Sequence, residues 1–182
     1  MRTKQEKREA AMKKILIITN HSYMLWQFRR ELIGALIAQG NQVLIALPFG
    51  DRVEELRNLG CRLLDTPMNR RGTDPVQEMK LVGRYYRILK AEKPDLVLTY
   101  SVKPNVYGGI LCRIMGIPRC MHVQGIGTAF NKKWLRGIVT VLYRMAARGA
   151  KTVFFEMRKM HGSSGNLTSR TNPGRRCSAE RV

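Results

Sequence analysis

The chain has 182 residues, 44% of them apolar, enough for one domain with a sizeable core. Its 33 Lys and Arg against 13 Asp and Glu give a net charge of +20, which implies an anionic partner: a phosphate-bearing ligand, an anionic membrane or nucleic acid. No apolar run approaches the roughly 18 residues of a membrane span, and the charged residues 1–11 lack the apolar centre of a signal peptide, so a membrane-spanning or exported chain is not expected.

Residues 1–11 read as a basic tail, with Met12 as an alternative start. Residues 13–20, KKILIITN, form an Ile-rich run of the kind a buried parallel strand needs. Residues 24–39 then place Leu25, Phe28, Leu32 and Leu36 at helical spacing, and Gly40 sits where a helix C-cap belongs. A second strand spans 42–48. Asp51 is placed to cap a short helix over 51–59 closed by Gly60, and a weaker strand follows over 61–67.

Residues 69–74, NRRGTD, make a basic turn. Asp74-Pro75 supplies an N-cap and a proline at the first helical position. That helix runs to about Glu92, with Val76, Met79, Val82, Tyr86 and Leu89 as its expected inner face, and Lys93-Pro94 stops it. A fourth strand spans 95–101, a short helix 107–115, a fifth strand 119–123, a basic apolar helix 134–148 and a sixth strand 151–155. Strands alternating with helices of this length predict a doubly wound α/β fold, a parallel sheet with helices on both faces.

The chemistry-bearing residues follow strand ends. After the first strand, Asn20, His21 and Ser22 could meet a ligand at a helix N-terminus or simply cap it. One of Arg29 and Arg30, two turns on, could point back to that edge or lie on a solvated face. After the fourth strand, Lys103 can donate to a phosphate or a sugar hydroxyl, Pro104 stiffens the turn, and Gly108-Gly109 lets the next helix pack closely on the sheet. His122, inside a strand, reads as a core histidine. Trp134, Arg136, Tyr143, Arg144 and Arg148 give the late helix a basic face suited to bilayer headgroups or to solvent.

Two nucleotide fingerprints are missing. The loop after the first strand, TNHS, has no glycine, which disfavours a G-x-G-x-x-G dinucleotide site, and no GxxxxGK[ST] occurs. The one GxG, Gly125-Ile126-Gly127, follows the fifth strand. The four cysteines, Cys61, Cys112, Cys120 and Cys177, show no metal-ligand spacing, so no metal is expected and the thiols read as reduced and structural, as in a cytoplasmic protein.

The stretches ILIITNHSYMLWQFRRELIGALIAQGNQVLIALP, DLVLTYSVKPNVYGGILCRIMGIP and VQGIGTAF together resemble the N-terminal half of family 4 glycosyltransferases. The likeness covers about residues 12–156. It is closer to the bacterial subgroup that adds N-acetylhexosamine or related sugars to lipid-linked oligosaccharides or to capsule and O-antigen intermediates. The resemblance implies a Rossmann-like domain forming the N-terminal, acceptor-binding half of a GT-B enzyme. It also implies metal-independent, retaining transfer from a nucleotide-sugar that is a substrate rather than a cofactor, held by a second domain.

Asn20, Ser22, Ser101, Lys103, Asn105, Gly125 and Gly127 would then face a glycan or polyprenyl-diphosphate-linked acceptor. Arg136, Arg144 and Arg148 would face an anionic membrane on the inner side. No specific nucleic acid is implied. Many members carry a histidine after the fifth strand; here that loop opens Gln124-Gly125, so no catalytic residue is assigned.

The donor half does not follow, and a chain with only these residues is expected to be inactive alone. Residues 157–182, rich in Ser, Arg, Gly and Asn, read as disordered. Relatives continue after this strand with Glu-Asn. Back-translating MRKMHG with one inserted A after the Glu156 codon can restore Glu-Asn-Ala-Glu-Asn-Ala-Arg-Val-Phe, so residues 157–182 are expected to be frameshifted coding sequence. The alternative reading is a non-catalytic basic module for an anionic ligand, a membrane surface or nucleic acid. A nucleotide-sugar oxidoreductase suffers from the missing glycine fingerprint.

Overall fold

The computed structural model describes residues 12–69, 74–123 and 133–155, and only the backbone of 133–136. The elements are β1 (Lys14–Ile18), α1 (Ser22–Ala38), β2 (Gln42–Leu47), α2 (Val53–Asn58), β3 (Arg62–Asp65), α3 (Pro75–Glu92) and β4 (Leu96–Tyr100). A π-helical turn (Pro104–Gly108) then runs into α4 (Gly109–Ile114), followed by β5 (Arg119–Val123), α5 (Lys133–Ala147) and β6 (Thr152–Phe155). The six strands form one sheet in the order β3-β2-β1-β4-β5-β6, parallel throughout.

β1 lies between β2 and β4, with Ile15 beside both Val43 and Leu96. A central strand is covered on both faces, which is why Ile15 to Ile18 are all apolar. Odd and even positions feed two cores. Ile15, Ile17, Val43 and Ile45 pack with Leu25 and Ile33 of α1 and with Val53 and Leu56 of α2. Leu16, Ile18, Leu44 and Val97 pack with Leu81, Tyr85 and Leu89 of α3 and with Cys112 of α4. The sheet is therefore doubly wound, as expected.

The caps divide. Asp74 caps α3 as read, its Oδ1 accepting from the Val76 N–H at 3.0 Å with Pro75 behind it. Asp51 does not cap α2: Arg52 takes the N-cap position with φ 66° and no side-chain cap bond, while the Asp51 carbonyl accepts from the Ser22 hydroxyl. Gly108 packs on the sheet as expected; a Cβ there would lie 3.3 Å from Ile18. Gly109 instead meets α5, where a Cβ would stand 2.9 Å from that of Ala146.

The expected helix faces need correction. In α1, Phe28 and Leu32 are exposed and Ile33 is buried. In α3 the buried stripe is Leu81, Tyr85 and Leu89, whereas Val76, Met79 and Tyr86 face outward, Met79 at 74% exposure. Both helices carry apolar residues around much of their circumference. The stripe that meets the sheet is chosen by the crossover geometry and not by the period alone.

Candidate functional site at the carboxyl edge of the sheet

The connection from β1 runs outward to β2, and that from β4 runs the other way to β5. The crevice beyond the carboxyl ends of β1 and β4 is thus the switch point at which open α/β sheets hold ligands. Asn20 and Ser101 meet there. The Ser101 hydroxyl donates to Asn20 Oδ1 at 2.7 Å, joining residues 81 positions apart. Ser101 has φ 75°, a left-handed conformation that costs a non-glycine residue energy and occurs often at functional sites. His21 stands at the N-cap of α1 with no side-chain cap bond, and the first turn of α1 has no acidic residue. The positive end of that helix faces this edge without a carboxylate of its own.

The other expected residues divide by what they touch. Ser22 is buried and its hydroxyl is turned to the Asp51 carbonyl. Asn105 is fully buried in the π turn. Its Oδ1 accepts from Thr99 Oγ1 at 2.6 Å and its Nδ2 donates to the His122 carbonyl at 2.8 Å, so it ties β4 to β5 from inside.

Lys103 is half-buried. Its ammonium donates to the Asn69 carbonyl at 2.6 Å and pairs with Glu78 Oε1, each side chain being 16% exposed. Gly125 and Gly127 lie outside the described residues, as does the Arg136 side chain. Arg144 and Arg148 are exposed, on and just after α5.

Arg29, not Arg30, turns toward the carboxyl edge. Its guanidinium lies 5.6 Å from the centre of the Tyr100 ring, whereas Arg30 lies over Trp26. His122 is a half-buried member of an aromatic row, stacked between Tyr100 at 4.4 Å and Phe154 at 4.6 Å, its register neighbours on β4 and β6. The strand spacing itself sets that stack, and with Phe154 at 47% exposure His122 stands at the edge of the interior and not in the core expected for it.

Glu78 was not among the residues read from the sequence. It occupies the first turn of α3, and in a parallel α/β unit every helix begins at the carboxyl edge of the sheet, so its position on that edge was legible in principle. Its charge acts on two hydroxyls as well as on Lys103. Burial, then the Glu78 charge, push Tyr85 up; burial, then a hydrogen bond to the Glu78 carboxylate and its charge, raise Tyr107. Burial also pushes the thiols of Cys61 and Cys112 up to about 11 and about 12, so both are protonated packing groups at neutral pH. Among the described residues no group of three or more His, Cys, Asp or Glu is arranged to hold a metal ion.

The outer face of α3 forms a shallow groove lined by Pro75, Val76, Met79, Lys80, Gly83 and Arg87. Among the described residues no helix is long and apolar enough to cross a membrane.

Residues 25–162 match the model of the glycosyl transferase 4-like domain. The chain is 23% identical over 137 residues to the N,N'-diacetylbacillosaminyl-diphospho-undecaprenol alpha-1,3-N-acetylgalactosaminyltransferase of Campylobacter jejuni, covering 72% of this chain and 36% of that protein. A 59-residue stretch is 36% identical to an Escherichia coli UDP-Gal:alpha-D-GlcNAc-diphosphoundecaprenol alpha-1,3-galactosyltransferase, 32% of this chain and 15% of that one. The crystal structure of Acinetobacter baumannii MurG superposes with a TM-score of 0.56 at 20% identity, over 88% of this chain and 46% of that one. The chain thus spans less than half the length of each of these proteins.

Proposed function

Because the chain belongs to the glycosyl transferase 4-like family, we propose that it forms the acceptor-binding side of a retaining glycosyltransferase. That enzyme would move a hexosamine-type sugar from a nucleotide-sugar to a polyprenyl-diphosphate-linked glycan. The observation that carries this reading is the Ser101–Asn20 pair at the switch point, with the open N-terminus of α1 beside it. Hydroxyl and amide groups there suit sugar hydroxyls, and the helix terminus suits phosphate oxygens. Both relatives are named for alpha-linked transfer onto undecaprenol-diphosphate-linked sugars, which supports the acceptor class.

In this reading the chain's own residues bind and orient the acceptor. A hydroxyl of its terminal sugar is presented to a donor held by a second domain, and the anomeric carbon–phosphate bond breaks as the new glycosidic bond forms. Positioning and charge stabilisation are this side's contribution. The chain is expected to bind a polyprenyl-diphosphate-linked disaccharide in nanodiscs. Ser101→Ala or Asn20→Ala weakens that binding about fivefold to tenfold, the loss of one or two hydrogen bonds. Equal affinity for the polyprenyl lipid without diphosphate or sugar would sink the reading.

The acceptor's lipid requires a membrane surface, and α3 offers a second face for one beside α5, whose Ile138, Val141 and Met145 are also exposed. The outward Val76, Met79 and Tyr86 are accompanied by Lys80 and Arg87, an apolar strip with basic flanks. The same helix carries Glu78, the partner of Lys103. The placement would be on the inner, cytoplasmic membrane face. In flotation with vesicles rich in anionic phospholipid, Met79→Asp with Tyr86→Asp lowers the bound fraction about tenfold, whereas Arg144→Gln lowers it slightly. Undiminished flotation of the double variant would return the contact to α5.

A further inference from the structure

Lys103 is the cation expected to meet the acceptor's diphosphate, yet it is held by three segments of the chain. Its ammonium donates to the Asn69 carbonyl in the loop after β3 and to Glu78 Oε1 in the first turn of α3, while its own backbone opens the π turn. Both side chains of the ion pair are 16% exposed, well withdrawn from bulk solvent. Glu78 Oε2 is buried and accepts no hydrogen bond among the described residues, and the carboxylate is held by the Lys103 ammonium and the Tyr107 hydroxyl. A pair set at the rim of a ligand crevice, with one carboxylate oxygen otherwise unused, can exchange partners.

We propose that Glu78 sets the charge of the diphosphate subsite. It holds Lys103 in a neutralised pair, and an incoming diphosphate binds by taking the ammonium over from the carboxylate. Glu78 is thus a positioning residue that acts through Lys103. This deepens the function proposed above and rests on its assignment of Lys103 to the acceptor.

A diphosphate oxygen accepts a charge-assisted bond from an ammonium as well as a carboxylate does, so the exchange conserves the number of strong hydrogen bonds. The carboxylate left behind then stands a few ångströms from a second anion, in a partly buried place where screening is weak. Glu78 therefore opposes anion binding and keeps Lys103 ordered between turnovers. Its neutralising effect also disfavours small monoanions, which cannot compensate for breaking the pair.

The test measures binding of inorganic pyrophosphate to the full 182-residue chain by calorimetry, with circular dichroism confirming the fold of each variant. Glu78→Gln keeps the size and one acceptor oxygen but removes the charge, and tightens pyrophosphate binding about tenfold. Lys103→Met weakens binding about tenfold or more, and in the Lys103→Met background the gain from Glu78→Gln disappears. Glu78→Ala also removes the charge and tightens binding by a similar factor, which serves if Glu78→Gln does not fold.

Unchanged or weaker binding by Glu78→Gln overturns the proposal, leaving Glu78 as a strut. A gain that persists without Lys103 overturns it too, since the carboxylate then acts at long range. Wild-type affinity in Lys103→Met overturns instead the assignment of Lys103 to the acceptor, a separate failure.

Discussion

Arg119→Ala lowers the unfolding free energy by about 3–5 kcal/mol, the cost of breaking a buried charged contact. For a chain of this size that is a fall in thermal midpoint of roughly 6–20 °C. Arg119 stands in β5 at 3% exposure. Its Nε and Nη2 donate to the Ala146 carbonyl at 3.0 and 2.7 Å, and Nη2 donates to the Arg148 carbonyl at 2.7 Å. These are the carbonyls at the end of α5 that have no intrahelical partner, and the cation also meets the negative end of the helix.

Burial pulls the Arg119 pKa down, but it has too far to fall to lose its proton near neutrality. Among the described residues no carboxylate pairs with it, so the helix end is its counter-charge. Arg119→Lys keeps the charge, loses the planar fork and costs about 1–2 kcal/mol. Scanning calorimetry decides: an alanine variant melting within about 2 °C of the parent would mean that water caps α5 equally well.

Asn105→Leu is expected to cost about 2–4 kcal/mol and to loosen the carboxyl end of β4. Leucine matches the shape of asparagine but leaves the buried Thr99 hydroxyl and the partly buried His122 carbonyl without this partner. Thr99→Val alone costs less, about 1 kcal/mol, and the two changes combined cost less than their sum because they break one shared bond. Urea denaturation gives the stabilities, and hydrogen exchange at residues 99–105 locates the loss. If Asn105→Leu is as stable as the parent while sugar binding is lost, Asn105 reaches the ligand after all.

That contrast marks how far the sequence carries. The strands were legible because each is a short apolar run ending in polar residues, and their alternation with helices yields the doubly wound sheet. Asp74-Pro75 announced the start of α3 because capping chemistry is local. Asp51 misleads for the same reason: its neighbourhood looks like a cap, yet the chain turns left-handed at Arg52, which takes the N-cap position instead.

The site is read less completely. Asn20 and Ser101 follow from topology, since both trail central strands. Asn105 sits in the same motif as Lys103, but only the packed structure separates a buried brace from a cation paired at the rim. Glu78 lies 25 positions before Lys103, and no local pattern links them. The outward strip of α3 reads as core from the sequence, because Leu81 and Tyr85 sit beside Val76, Met79 and Tyr86 on a helix apolar over much of its surface.

The position of β1 at the middle of the sheet has a consequence for how the chain reaches this state. Lys13, at its start, bonds to Asn41 across 28 residues on one side, and Lys14 bonds to Asp95 across 81 on the other. The β3-β2-β1 half can assemble as soon as it is synthesised, while the β1–β4 seam waits for α3 and β4. Until then β1 presents an open edge of isoleucine and leucine, the kind of surface that recruits other chains. Aggregation during synthesis, set by the delay before β4 arrives, is therefore the main kinetic hazard of this topology. Changes that slow α3 should reduce soluble yield more than they reduce the stability of the finished fold.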